Sequence, residues 1–178
     1  MSLEKISEEV IHSNPWWEYK HDKFRLANGQ EGDYYYGEIP GSTIIIPITD
    51  DGHLILIVQY RYLRDRKGVE FPGGGLKKDE TPGDGAAREL AEEIGKQSSD
   101  LIKIGSFEAL KGVFKDTVHI FIARELENIP SPQPEATEDI EIIYRRPDEF
   151  EDMIKRGEIW DGETLAAWAI IRDNLLKI

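Results

Sequence analysis

The sequence predicts an α/β fold in which helices pack on a mixed β-sheet, and three observations support this. Apolar and β-branched runs alternate with turn signals along most of the chain, which indicates several strands. One helical pattern in the middle of the chain interrupts these strands, and a second lies near the C-terminus. The length of 178 residues suits one domain with a small appendage.

Composition excludes several classes of protein. The formal net charge of −13 argues against electrostatic binding of nucleic acid, which needs clustered Lys and Arg. The absence of cysteine rules out disulfides, thiolate metal ligands and a cysteine nucleophile. The sequence has neither an apolar run of about 18 residues nor an apolar stretch after Met1 that is typical of a secretory signal. We therefore expect no membrane partner and a cytoplasmic location.

The N-terminal segment is rich in aromatic residues. Residues 16–20 and 23–26 predict a short hairpin. Asn28-Gly29 predicts a turn, and Tyr34–Tyr36 begins another strand. We therefore expect an antiparallel β extension before the main domain.

The next segments alternate strands with turns. Thr43–Ile48 and His53–Tyr62 are predicted strands, and Asp50–Gly52 is the expected hairpin loop between them. Phe71–Gly75 contains three successive glycines, which predicts an irregular segment that approaches a ligand closely.

A helix is expected directly after this glycine segment. Thr81 is the predicted N-cap, Pro82 takes the first helical position and Asp84 lies in the first turn. The helix should end near Ile94, with Gly95 as the C′ residue.

The rest of the chain completes the sandwich. The expected elements are strands at 101–108, 117–125 and 139–145, a loop at 129–134, and helices at 147–156 and 163–177. The last helix carries an apolar stripe at helical spacing, which we interpret as core: Leu165, Trp168, Ile171 and Leu175.

Three carboxylates share one face of the central helix. Glu89, Glu92 and Glu93 are spaced i, i+3 and i+4, so they repel one another. Solvent screening or a hard divalent cation such as Mg²⁺, Mn²⁺ or Ca²⁺ would offset the repulsion, and the glycine segment beside them favours the cation. Glu80 and Arg88 could pair and hold the loop against the helix, a structural role.

These residues resemble the Nudix box, which the chain follows at fixed spacing over 23 residues. The matching positions are Gly74, Glu80, Arg88-Glu89-Leu90, Glu92-Glu93 and Gly95. Lys96 departs from the pattern, which has an aliphatic residue there. We expect this departure to affect only packing at the helix end.

A weaker resemblance covers most of the chain. Residues 59–61, 70–74 and 137–141 are similar to the ADP-ribose pyrophosphatase branch of the family. The resemblance implies a Nudix-type α/β/α sandwich with a mixed sheet. Residues 1–41 would form the N-terminal antiparallel β extension, for dimerisation and base binding, and residues 42–178 the Nudix hydrolase domain.

The resemblance also implies an activity. This is Mg²⁺-dependent hydrolysis of the diphosphate bond of a nucleoside diphosphate sugar, with ADP-ribose favoured, by a homodimer that exchanges its N-terminal segments. Mn²⁺ is a candidate substitute for Mg²⁺. The products would be a nucleoside monophosphate and a sugar phosphate. Residues 110–113 lack a proline that the ADP-ribose branch often carries, so another nucleotide sugar such as a GDP-hexose stays open.

Two further functions stay open as alternatives. House-cleaning of nucleoside triphosphates is disfavoured by the N-terminal extension, which small triphosphate-cleaving relatives usually lack. A non-catalytic nucleotide sensor is disfavoured because the three box glutamates are retained.

The resemblance assigns the catalytic and metal-binding residues. The implied catalytic residues are Glu89, Glu92, Glu93 and Glu138, and the implied metal ligands are these four together with the Gly73 carbonyl. Glu138 is the first choice for general base or extra ligand, and Glu135 is the second, since Ala136 stands where related enzymes often carry another glutamate. The alternative is that both acids are solvated loop residues.

The substrate-binding residues follow in the same way. Arg61 matches an arginine that faces the diphosphate, whereas we expect Arg64 to form a surface salt bridge. Glu70 matches an acidic position near the substrate or pairs with Lys67.

The aromatic residues Trp16, Trp17 and Tyr19 are candidates for stacking on the base. The alternative is a small satellite core.

Overall fold

The computed structural model describes residues 3–130 and 139–176, which form three β-sheets and three α-helices. The strands are β1 (Glu4–Ser13), β2 (Glu18–Arg25), β3 (Glu31–Glu38), β4 (Ser42–Pro47), β5 (Leu54–Arg61), β6 (Arg66–Glu70), β7 (Gly73–Gly75), β8 (Lys96–Glu108), β9 (Phe114–Lys115), β10 (Thr117–Asn128) and β11 (Ile140–Arg145). The helices are α1 (Pro82–Ile94), α2 (Pro147–Lys155) and α3 (Gly162–Leu175), with a 3₁₀ turn at Tyr62–Arg64.

The N-terminal sheet has the order β1-β2-β3-β9 and is antiparallel except for the β3–β9 pair. The hairpin expected between 16–20 and 23–26 is wrong, because residues 18–25 form the single strand β2. The hairpin turn instead joins β1 to β2. There the Asn14 side-chain oxygen accepts from the amides of Trp16 and Trp17, at 2.9 and 3.0 Å. The sequence did not indicate β1, a charged strand that is exposed throughout.

The other two sheets form the body of the fold. One has the order β7-β4-β10-β8, with β4 and β10 parallel, and the other has the order β11-β5-β6. The chain turns at Asp50–Gly52 as expected, but β4 and β5 join through the single bridge Ile48–Leu54 before they enter different sheets. Both strands are buried almost throughout, so each lies between other layers instead of forming an extended hairpin.

The expectation that the glycine segment is irregular is wrong. Gly73–Gly75 forms the short strand β7, which is antiparallel to β4. A Cβ on Gly73 would lie 2.2 Å from the Thr43 carbonyl oxygen, and one on Gly74 would lie 2.4 Å from Oε1 of Glu89. The glycines are therefore needed for close approach to neighbouring groups.

Helices cover both faces of β4, so the expected α/β/α sandwich is confirmed. Ile44 packs in a core cluster with Trp168 and Ile171 of α3. Ile45 points the other way and packs in a second cluster with Leu90 of α1. Among the described residues, no helix is long and apolar enough to cross a membrane.

Helix α1 begins and ends where the sequence predicts. The Thr81 hydroxyl accepts from the Asp84 amide at 3.2 Å, and Gly95 takes a left-handed conformation with φ 64°. Strand β8 then starts at once, so Lys96 is a strand residue whose Nζ donates to the Asn128 side chain at 2.7 Å.

Candidate active site

The carboxylates of α1 face the glycine strand β7. Glu89 and Glu93 are buried, with 9% and 7% exposure, and Glu92 is half-buried. The Gly73 amide donates to Oε2 of Glu93 at 2.8 Å. Since Gly74 leaves no room for a side chain in front of Glu89, the helix and the strand meet through carboxylate oxygens and bare backbone.

Arg88 organises these carboxylates. Its guanidinium donates to Glu80 at 2.8 and 3.0 Å, to Glu89 at 2.7 Å and to Glu92 at 2.8 Å. It also donates to the Gly75 carbonyl oxygen at 3.0 Å. These contacts tie the loop, the helix and β7 together, and they offset the like-charge repulsion that the spacing implies.

The pairing of Arg88 with Glu80 also shifts the pKa values of both groups. The hydrogen bonds from Arg88 lower the pKa of Glu80 to about 2, while the pKa of Arg88 is raised. Both groups are therefore charged across the physiological range, and the pair whose structural role the sequence suggested is a permanent ion pair.

The donor set suits a hard divalent cation. Within residues 3–130 and 139–176, no three His, Asp or Glu side chains are arranged as a metal cage. Instead, Arg88 donates hydrogen bonds to Glu89 and Glu92, and Glu93 accepts one from the β7 backbone. Carboxylates nevertheless outnumber the cations Arg88 and Lys77 here. On β4, opposite Gly74, the Thr43 Oγ1 is buried and has no hydrogen-bond partner among the described residues. Excess negative charge and an unpaired oxygen both fit a bound cation with its water.

Arg61 and Glu70 form a second ion pair close to β7. Arg61 Nε lies 3.0 and 3.1 Å from the two Glu70 oxygens, and Nη2 makes a further contact. Glu70 therefore pairs with Arg61 rather than with Lys67, whose Nζ lies 4.0 Å from Asp139. The salt bridge expected for Arg64 is wrong as far as the described residues go, since Arg64 has no ion-pair partner there.

A cavity of about 320 Å³ adjoins Gly73–Gly75. Its charged lining residues are Arg61, Glu70, Asp116, Asp161 and Glu163. Sequence reasoning missed the last three, because Asp116 lies far along the chain from the α3 N-terminus that carries Asp161 and Glu163, and none of the three belongs to a motif. Burial, together with the nearby Asp161 and Asp116, raises the pKa of Glu163 to about 7.

The N-terminal tryptophans lie elsewhere. The Trp16 side chain is 77% exposed in the β1–β2 turn. The Trp17 ring centroid lies 6.1 Å from that of Phe114 and 6.3 Å from that of His12. Within the described chain neither tryptophan lines the cavity beside β7, and their role in base stacking stays a prediction. Glu135, Ala136 and Glu138 fall outside the described residues.

The fold and the box define the class of this protein. Residues 39–168 match the NUDIX domain, so the chain belongs to the Nudix family, as the sequence predicted, and it is a Nudix hydrolase. Enzymes of this family generally use divalent metal ions.

Its relatives place it among ADP-ribose pyrophosphatase-like members. The chain is 31% identical over 170 residues to the ADP-ribose pyrophosphatase of Bacillus subtilis (strain 168), covering 93% of this chain and 91% of that protein. It is 28% identical over 166 residues to the ADP-ribose pyrophosphatase of Mycobacterium tuberculosis (strain ATCC 25618 / H37Rv), covering 92% and 80%. A crystal structure of an ADP compounds hydrolase has a TM-score of 0.85 and 21% identity, covers 99% of this chain and 96% of that chain, and shows the same fold.

Proposed function

We propose that this protein hydrolyses the diphosphate bond of a nucleoside diphosphate sugar, with ADP-ribose favoured and Mg²⁺ as cofactor. The observation that carries the proposal is the meeting of the buried Glu89 and Glu93 with the backbone of Gly73 and Gly74. The names of the two pyrophosphatase relatives support the choice of substrate.

The metal would be held by Glu89, Glu92 and Glu93, with the Gly73 carbonyl as a further ligand. When bound, divalent cations neutralise the diphosphate and lower the pKa of attacking water. Arg88 contributes by fixing Glu89 and Glu92, so that little reorganisation is needed when the substrate arrives.

Arg61 would bind the diphosphate. Glu70 engages its Nε and Nη2, which fixes the plane of the guanidinium. Among the described residues Nη1 has no hydrogen-bond partner, so it is available to donate to a phosphate oxygen. A guanidinium held by a buried carboxylate is a rigid donor for such an anion.

We assign the general base to Glu138 first and to Glu135 second. Neither belongs to the described residues, but the register of the next strand supports the assignment. Ile140 pairs with Gln59, two residues before Arg61. Strand β11 therefore begins near the end of β5 that carries Arg61, and both acids precede β11 in the sequence by a few residues.

The N-terminal residues 1–41 are proposed to form a homodimer contact and to contribute to base binding, apart from the Nudix hydrolase domain at 42–178. Strand β1 is exposed along its whole length, and among the described residues it pairs with β2 on one edge and with no strand on the other. Its sheet and the β1–β2 turn expose large apolar side chains, a feature of association surfaces: Ile6, Val10, Ile11, Trp16, Tyr34 and Tyr35. Sedimentation equilibrium should give about twice the 20.4 kDa mass of one chain; a monomer at micromolar concentration would contradict the proposal.

The activity is tested by release of AMP from ADP-ribose with and without Mg²⁺, beside GDP-mannose and a set of nucleoside triphosphates. We expect turnover of ADP-ribose that requires the metal and falls by at least 100-fold in Glu93→Gln. A preference for GDP-mannose would move the substrate to another nucleotide sugar. Turnover of triphosphates alone, or of nothing, would overturn the proposal.

A further inference from the structure

Two unpaired polar atoms are buried on the face of the sheet that helix α1 covers. Thr43 Oγ1 on β4 and His119 Nδ1 on β10 have no hydrogen-bond partner among the described residues, and Thr43 is only 1% exposed. Buried polar atoms are nearly always hydrogen-bonded, because an unpaired one has lost its bonds to water without replacement. Two such atoms in one region therefore point to an interaction that forms when the site is filled.

The alternation of side chains along the strands places both residues on this face. Ile45 of β4 packs in the cluster with Leu90 of α1, and Phe121 of β10 belongs to the same cluster. Thr43 and His119 each lie two positions before these residues, so they point the same way. Thr43 and His119 are also direct partners across the parallel strands. Since neighbouring strands lie about 4.8 Å apart, the two side chains are adjacent.

The other neighbour of Thr43 is one of the carboxylates proposed to hold the metal. Thr43 pairs with Gly74 of β7, and a Cβ on Gly74 would lie 2.4 Å from Oε1 of Glu89. Opposed residues of an antiparallel pair have Cβ positions about 4.5–5.5 Å apart on one face of the sheet. The register therefore sets three groups in a row: the Glu89 carboxylate in front of Gly74, then Thr43, then His119.

The three groups are matched as donors and acceptors. An ionised carboxylate only accepts hydrogen bonds, whereas a hydroxyl both donates and accepts. Burial, helped by Lys103, lowers the pKa of His119, so its ring is neutral near pH 7 and carries one N–H. With that proton on Nδ1, His119 can donate to Thr43, and Thr43 can donate to Glu89.

We propose that Thr43 is a positioning residue of the metal site, and that its hydroxyl donates to Glu89 directly or through one buried water while His119 orients the hydroxyl. This rests on the proposed function. Groups that hydrogen-bond to metal-binding side chains fix their orientation, and the loss of one typically costs about 10–100-fold in metal affinity. Neither residue belongs to the Nudix box, and the register of β4 with β7 and β10 alone brings them to it.

The test separates metal affinity from stability in the full chain. Mn²⁺ binding is followed by electron paramagnetic resonance for the wild type, Thr43→Val and Thr43→Ser. Valine keeps the shape of threonine without the hydroxyl, whereas serine keeps the hydroxyl. We expect Thr43→Val to weaken Mn²⁺ binding at least tenfold and Thr43→Ser less than threefold. Without metal, Thr43→Val should unfold at the same or a higher urea concentration, because it removes an unpaired buried hydroxyl.

His119→Phe tests the second link of the row. It should weaken Mn²⁺ binding two- to fivefold, and the double variant with Thr43→Val should bind no more weakly than Thr43→Val alone, because His119 acts through Thr43. The control is Thr117→Val on the same strand as His119. The Thr117 hydroxyl already donates to Glu108 at 2.8 Å, so its loss should leave Mn²⁺ affinity unchanged.

Unchanged Mn²⁺ affinity in Thr43→Val, or equal weakening in Thr43→Ser, would overturn the inference. A lower urea midpoint of metal-free Thr43→Val would do the same, and additive losses in the double variant would overturn the role of His119. With AMP still released from ADP-ribose by the wild type, these results would leave the proposed function standing. The expected weakening in a protein that releases no AMP would overturn that function alone, and a wild type that binds no Mn²⁺ would overturn both.

Discussion

The ion pair between Glu80 and Arg88 gives a sharp stability prediction. Glu80→Gln removes the negative charge but keeps the size of the side chain and one oxygen that accepts hydrogen bonds. The pKa of Glu80 falls from 4.5 to about 2, and each tenfold change in proton affinity corresponds to about 1.4 kcal/mol. The pair should therefore contribute at most about 3 kcal/mol at pH 7, which solvent screening reduces to about 2 kcal/mol.

The pH dependence has a definite sign. Because folding lowers this pKa, the stabilisation is complete above pH 4.5 and is lost as the pH falls towards 2. The difference in unfolding free energy between wild type and variant should shrink by about two fifths at pH 3.5. Urea unfolding at pH 7, 5 and 3.5 measures it.

A matched control is the exposed pair of Glu158 and Arg156. Glu158→Gln should change stability very little, because exposed ion pairs contribute little. Equal stability of Glu80→Gln and wild type at pH 7, or equal losses in the two variants, would refute the reasoning.

Three further changes probe the site. Gly74→Ala should lower kcat at least 100-fold, since its Cβ would displace the Glu89 carboxylate. The control is Gly83→Ala, which has open space around it and should keep full activity and gain about 0.5–1 kcal/mol of stability. Glu93→Gln should abolish most turnover while shifting the melting temperature by only a few degrees, because glutamine still accepts from the Gly73 amide; a large drop would assign Glu93 a structural role. Glu163→Gln should stabilise the protein by about 2 kcal/mol at pH 8 but not at pH 4.5, because burial destabilises the ionised carboxylate and raises its pKa to about 7. Equal shifts of the urea midpoint at both pH values would contradict this.

The parts of the site that the sequence predicted are those that local geometry fixes. Helix periodicity sets the shared face of Glu89 and Glu93, and short-range capping fixes the ends of α1 at Thr81 and Gly95. Each of these depends on residues within a few positions of one another.

The parts that the sequence missed depend on distant segments. Asp116 directly precedes β10 and Glu163 lies in the first turn of α3, so they line one cavity only because α3 packs against the sheet that contains β10. Strand β1 was missed because its charged residues hide the alternation that marks a half-buried strand. β7 was missed because three glycines signal backbone freedom, whereas the fold uses them for close approach to Thr43 and Glu89.

Manganese binding tests the central claim most directly. Free Mn²⁺ is followed by electron paramagnetic resonance while the metal is titrated into the wild type and into Glu92→Gln and Glu93→Gln, in the presence of AMP. The account predicts saturable binding by the wild type that weakens at least tenfold in both variants. Equal binding by all three proteins, or none by the wild type at millimolar Mn²⁺, would contradict the assignment of the α1 carboxylates as metal ligands.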